Sequence, residues 1–153
     1  MYKIDAELKE FIESGVACLV GTGNAEGRPH VVYGWGPRVR AGGAEVDVFI
    51  DAARSATALA DLRENPRIAL TLAHPVSYRS VQLKGSFRST QEPDDEDLAR
   101  VQAHRDAFLV TTTLVGDPPN TITNLWMDEV VRVSFAVERA FDQTPGPEAG
   151  KPL

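Results

Sequence analysis

The chain has 153 residues, 42% of them hydrophobic and 25% charged, with a formal net charge of −6 and an isoelectric point near 5.0. These values suit one domain with a packed core and exclude disorder throughout. The acidic balance speaks against nucleic acid or an anionic membrane as partner, since both are gripped by clustered Lys and Arg.

Residues 5 to 14 read as an amphipathic helix: Asp5 caps it, Leu8, Phe11 and Ile12 recur at helical spacing, and Gly15 suits the exit. The period then changes to alternation. Val16 to Thr22 is expected as a short strand, Asn24-Ala-Glu-Gly27 as its turn, and His30 to Gly36 as a second strand with Val31, Tyr33 and Trp35 on one face. A third strand runs from Glu45 to Asp51, where Val46, Val48 and Ile50 alternate with Glu45, Asp47 and Asp51. Ser55 opens a short helix carrying Leu59 and Leu62, and Asn65-Pro66 stops it. Two more strands follow. Ile68, Leu70 and Leu72 share a face of the first, while in the second Val81, Leu83 and Phe87 oppose Ser80, Gln82, Lys84, Ser86 and Arg88. That last face is wholly polar and must meet water or a polar ligand, because unpaired buried polar groups cost about 1–3 kcal/mol each.

A second long helix is expected from Pro93 to Val110, with Pro93 in its first turn, Asp94 to Asp97 at its positive end, and Leu98, Val101, Phe108 and Leu109 as its apolar stripe. Asn120 to Met127 reads as a short helix and Glu129 to Arg139 as a strand with Val131, Val133, Phe135 and Val137 inward. No linker or repeat interrupts residues 1–153, so a single domain is expected, with its helix in 1–15 and a Pro/Gly-rich tail over 142–153. About six alternating strands with short helices describe a mainly β fold, a closed or nearly closed antiparallel barrel. The charged opening segment has no leader-like apolar core, and no apolar run approaches the ~20 residues of a membrane span. The single Cys18, inside the run Val16 to Val20, reads as a small buried hydrophobe. A cytoplasmic location is the expectation.

The order helix, hairpin, strand, short helix ending in Asn-Pro, then paired strands resembles the flavin-binding split barrel of pyridoxamine 5′-phosphate oxidase relatives. The residues that carry it are Gly27-Arg-Pro-His-Val-Val-Tyr33, Leu62-Arg-Glu-Asn-Pro-Arg67 and Tyr78-Arg-Ser-Val-Gln-Leu-Lys-Gly85. The resemblance implies a homodimer, flavin mononucleotide (FMN) at the subunit interface, and a small-molecule redox substrate. Relatives usually hold the flavin phosphate with an Arg-Lys pair, whose places here are Thr57 and Ala58. Arg54 and Ser55, close by at the helix start, become the candidates in their stead, together with Thr57. Arg79 keeps the family's arginine and Ser80 replaces a glutamine that often touches the cofactor. Gln82 and Lys84 are candidates for a cofactor groove, Tyr33 and Trp35 for contact with the ring system. No catalytic residue is assigned.

Each candidate also has a plainer reading: a surface arginine and helix cap at 54 and 55, a solvated strand face at 79 to 84, core aromatics at 33 and 35. A deazaflavin-dependent reductase, a non-enzymatic flavin or haem module, and a scaffold without its cofactor fit the same barrel. His30, His74 and His104 show no metal-binding spacing, and no metal is expected. Trp126 and Phe141 are candidates for an interface or a cofactor cover. For a second phosphate the C-terminal stretch offers only Arg132, Arg139 and Lys151, so pyridoxamine phosphate itself is not the expected substrate.

Overall fold

The computed structural model describes residues 1–126 and 129–153. Among them lie strands β1 (Ala17–Gly23), β2 (Pro29–Val39), β3 (Glu45–Asp51), β4 (Arg67–Ala73), β5 (Ser80–Gln91) and β6 (Val130–Asp142). They close into an antiparallel barrel in the order β1-β2-β3-β6-β5-β4. Alternation is what closes it, because the inward residues Val20, Leu70, Leu83 and Phe135 are fully buried and pack on one another. The expected turn forms where Asn24 Oδ1 accepts from the N–H groups of Glu26 and Arg28 and Gly27 takes a positive φ of 82°.

Helix α1 (Ala6–Ile12) starts as its sequence says, with the Asp5 carboxylate accepting from Leu8 N–H at 2.8 Å, and it buries Leu8, Phe11 and Ile12 in the barrel core. Helix α2 (Ala56–Glu64) buries Ala58, Asp61 and Leu62. Helix α3 (Asp95–Leu114) begins later than expected: Asp94 and Asp97 form a reciprocal capping box, and Pro93 precedes the cap instead of sitting in the first turn. The helix also runs four residues past Val110. Its buried side is Val101, His104, Arg105 and Phe108, while Leu98, expected in the apolar stripe, is exposed.

α3 lies on the outside of β2, which makes a second core there. Trp35 and Phe49 pair across β2 and β3 and pack with Val101, Phe108, Ile122 and Val130. This explains why β3 does not show the half-polar pattern of its sequence, since every residue from Val46 to Asp51 is buried. Asp47 survives inside because it accepts from Arg38 at 2.7 Å, Arg40 at 2.9 Å and Ser134 at 2.6 Å. Asp97 joins the network through Arg38 at 3.2 Å and Arg132 at 2.7 Å. Burial opposes ionisation of Asp47, yet the hydrogen bonds from Arg40, Ser134 and Arg38 hold its carboxyl below the usual range.

The short helix expected over 120–127 is α4 (Pro119–Thr123), and Met127 lies outside the described residues. The Pro/Gly-rich tail is tied down. Asp142 N–H donates to Lys151 O, Leu153 N–H to Ala140 O and Gln143 N–H to Ser80 O, so it folds back along the end of β6.

Candidate functional site

The strand registers decide which candidates meet. Leu19 pairs with Tyr33 on one side and Thr71 on the other, and Thr71 pairs with Gln82. A parallel row runs from Val31 through Gly21 and Ala69 to Lys84 and Arg139. These residues alternate with the inward Val20, Leu70 and Leu83, so Tyr33, Gln82 and Lys84 share one outer face of the barrel. Gln82 donates from Nε2 to Thr71 Oγ1 at 2.9 Å within that face.

Beside Tyr33 is a pocket of about 230 Å³ lined by Val31, Val32, Tyr33, Trp35, Asp51, Arg54, Ser55 and Leu125. Four of the sequence candidates therefore come together here. Tyr33 is 47% exposed and stacks on Trp35 with 6.2 Å between ring centres and 24° between planes. Trp35 is only 3% exposed, wedged against Phe108 and His104 edge-on, so it serves chiefly as the wall behind Tyr33. The chain turns into α2 because Asp51 Oδ1 accepts from the Arg54 N–H. Ser55 takes the N-cap place but makes no cap hydrogen bond, and its fully buried Oγ has no partner. The start of α2 thus brings an exposed arginine and an unpartnered, buried serine beside the Tyr33 ring.

The remaining candidates lie elsewhere. Thr57 is exposed in the first turn of α2, and Ala58 is buried. Arg79 turns to the N-terminal helix, 3.2 Å from Glu7 and over the Phe11 ring. Ser80 is held by the tail, its N–H donating to Thr144 Oγ1 at 3.0 Å. Of the three C-terminal cations, Arg132 is committed to Asp97 and Lys151 to Glu148, while Arg139 faces the outer surface with Lys84. Lys84 and Arg139 both approach the Phe141 ring, at 5.0 and 5.6 Å from its centre. Trp126 is half-buried, 5.8 Å below Arg105. No group of three His, Cys, Asp or Glu among the described residues has the geometry of a metal site. Cys18 is buried, and burial pushes its thiol up far beyond the ordinary range, so it is no nucleophile.

Sequence reasoning missed the group Thr22, His30 and Asp61. Thr22 Oγ1 donates to Asp61 Oδ2 at 2.8 Å, and His30 Nδ1 donates to the same oxygen at 2.7 Å. Burial opposes the charge on Asp61, but these two hydrogen bonds hold its carboxyl below the usual range. Asp61 sits on the buried side of α2 at a position that the sequence alone reads as solvent-facing, so no local pattern pointed to it.

A profile of the family described as pyridoxamine 5′-phosphate oxidase matches residues 4–132. The chain belongs to this family. No curated protein matches its sequence significantly. Among solved structures, Group A Streptococcus HupZ is 16% identical with a TM-score of 0.60, over 96% of this chain and 99% of that one. An F420 reductase is 13% identical with a TM-score of 0.55, over 90% and 98%. HutZ, described as a haem storage protein of Vibrio cholerae, is 17% identical with a TM-score of 0.52, over 92% and 95%. At such identities the likeness is one of fold, and it confirms the split barrel for this member of the oxidase family. Its site must be read from its own residues.

Proposed function

We propose that the chain binds FMN as a homodimer and acts as an oxidoreductase on a small molecule other than pyridoxamine phosphate. The observation that carries this is the pocket that brings Arg54 and Ser55, at the start of α2, together with Tyr33. The residues fit the group. Arg54, Ser55 and the first N–H groups of α2 would hold the phosphate, and Tyr33, backed by Trp35, would meet the ring. Asp51 lines the same pocket, but its Oδ1 is engaged by the Arg54 N–H. When bound, the flavin supplies hydride or single-electron transfer, and the protein's part is to bind it, orient it and exclude water.

The pocket's 230 Å³ is below the about 300–1,000 Å³ that usually encloses a cofactor-sized ligand. Exposed Leu19, Val31 and Tyr33 stand beside it. A second copy over that face would supply the missing wall, which supports the dimer.

The test is the absorbance spectrum of the purified protein, which separates flavin, deazaflavin and haem, combined with sedimentation. Flavin bands on a species of about twice 16.6 kDa are expected. A colourless monomer that does not quench added FMN fluorescence would overturn the proposal.

A further inference from the structure

Next to the ring pocket, and sharing Val31 with it, lies a larger cleft of about 640 Å³ on the outer face of β1, β2, β4, β5 and β6. Its floor is bare. An added Cβ would find no atom nearer than 3.8 Å at Gly21 and 3.6 Å at Gly23, so neither packing contact requires a glycine. At Gly85 the reverse holds, since a Cβ would fall 1.8 Å from the Ala136 carbonyl oxygen. The open floor thus reflects room left in the cleft.

The rim is cationic in a chain whose formal charge is −6. Arg67, Lys84 and Arg139 face it against one carboxylate, Glu138, which accepts from Ser86 Oγ. That is an excess of two positive charges. None of the three cations is ion-paired among the described residues, whereas Arg38, Arg40 and Arg132 each have a buried aspartate. Unpaired cations converging on a concave surface raise the local concentration of anions and complement a doubly charged one. The fourth polar group is His30. With Nδ1–H held by Asp61 the ring is fixed in orientation, and with a second proton on Nε2 it is an imidazolium that can donate to an anion in the cleft.

We propose that this cleft binds a phosphoryl dianion, with Lys84, Arg67 and Arg139 supplying charge and His30, positioned by Asp61, donating from Nε2–H as the imidazolium. Because Val31 borders both spaces, a ligand anchored here reaches Tyr33. The anion site stands without any cofactor. That its occupant is the charged end of the redox substrate rests on the flavin reading.

Sulfate, which does not change charge near neutral pH, is the probe, and the backbone amide resonances of Gly21, Gly23 and Gly85 are the readout. Saturable shifts of these glycines are expected. Lys84→Ala should weaken the affinity at least about fivefold, as expected for loss of a charge-assisted contact. Gly21→Val, which suits a strand and whose Cβ meets no atom nearer than 3.8 Å, should abolish the shifts while the rest of the spectrum stays folded. His30→Gln keeps a donor for Asp61 and should weaken sulfate without changing the fold. Sulfate affinity read at these glycines should be the same with and without saturating FMN. Absence of saturable shifts, unchanged affinity in Lys84→Ala, or unimpaired binding in Gly21→Val would overturn the proposal. Loss of the sulfate-induced shifts of these glycines on saturation with FMN would overturn it as well, because the cleft would then be the flavin's own phosphate pocket. Failure of FMN to bind at all, with the sulfate shifts intact, would instead sink the flavin reading and leave the anion site standing.

Discussion

His104 sets a pH window for stability that can be worked out from its surroundings. Its ring is 6% exposed, parallel to Phe108 at 6.4 Å and edge-on to Trp35 at 5.9 Å. Nε2–H donates to the Val16 carbonyl at 2.9 Å, and Nδ1 has no partner for a second proton. Burial lowers its pKa, the Val16 carbonyl partly resists, and the Arg105 charge lowers it further, from 6.5 to about 4. The unfolded chain therefore takes up a proton that the folded chain refuses between these values. Stability is at full strength above 6.5 and falls with the pH until about 4, where the loss levels off. At ~1.36 kcal/mol per pH unit the whole effect amounts to about 3 kcal/mol. Urea unfolding of the parent and His104→Gln at about pH 7.5 and about pH 4.5 isolates it, because titrating carboxylates such as Asp47 act in both proteins. The parent should lose about 2 to 3 kcal/mol more than the variant between these conditions. Equal losses would refute the assignment of a neutral, buried imidazole.

The two stacked aromatics should separate on truncation. Trp35→Ala, deep in the second core, is expected to cost about 3–5 kcal/mol in denaturant unfolding, and Tyr33→Ala less than about 1 kcal/mol. Asp47→Ala leaves Arg38 and Arg40 without their shared carboxylate and should destabilise by about 3–5 kcal/mol, measured the same way. Gly85→Ala should not give soluble, folded protein on expression, because its Cβ has no room beside Ala136 O.

Much of this fold is legible in the sequence because strand alternation and capping are local. Asp5, Asn24 to Gly27 and Asn65-Pro66 each mark a boundary that the structure keeps. What local pattern misses is a second layer. β3 reads as half-solvated because its polar residues are explained only by Arg38, Arg40 and Asp97 arriving from elsewhere in the chain. Trp35 reads as a ligand contact because the covering helix lies some sixty residues further on, at Val101 to Phe108. The candidate site is divided in the same way. Tyr33, Arg54 and Ser55, which only the family resemblance linked, line one pocket, while Arg79 and Ser80, adjacent in sequence to Gln82 and Lys84, are drawn off by Glu7 and the returning tail. The Thr22, His30 and Asp61 group joins β1, β2 and α2, three elements that no motif ties together.

The most direct test of the flavin account is fluorescence titration of FMN into the parent protein, Arg54→Ala and Lys84→Ala. A phosphate contact with an exposed guanidinium is worth roughly 1.5–3 kcal/mol, about tenfold or more in affinity. Arg54→Ala should therefore weaken FMN by at least about tenfold, and Lys84→Ala should leave it within about twofold of the parent. Parent-like affinity in Arg54→Ala with loss of binding in Lys84→Ala would contradict the account and put the flavin phosphate on the opposite side of Val31.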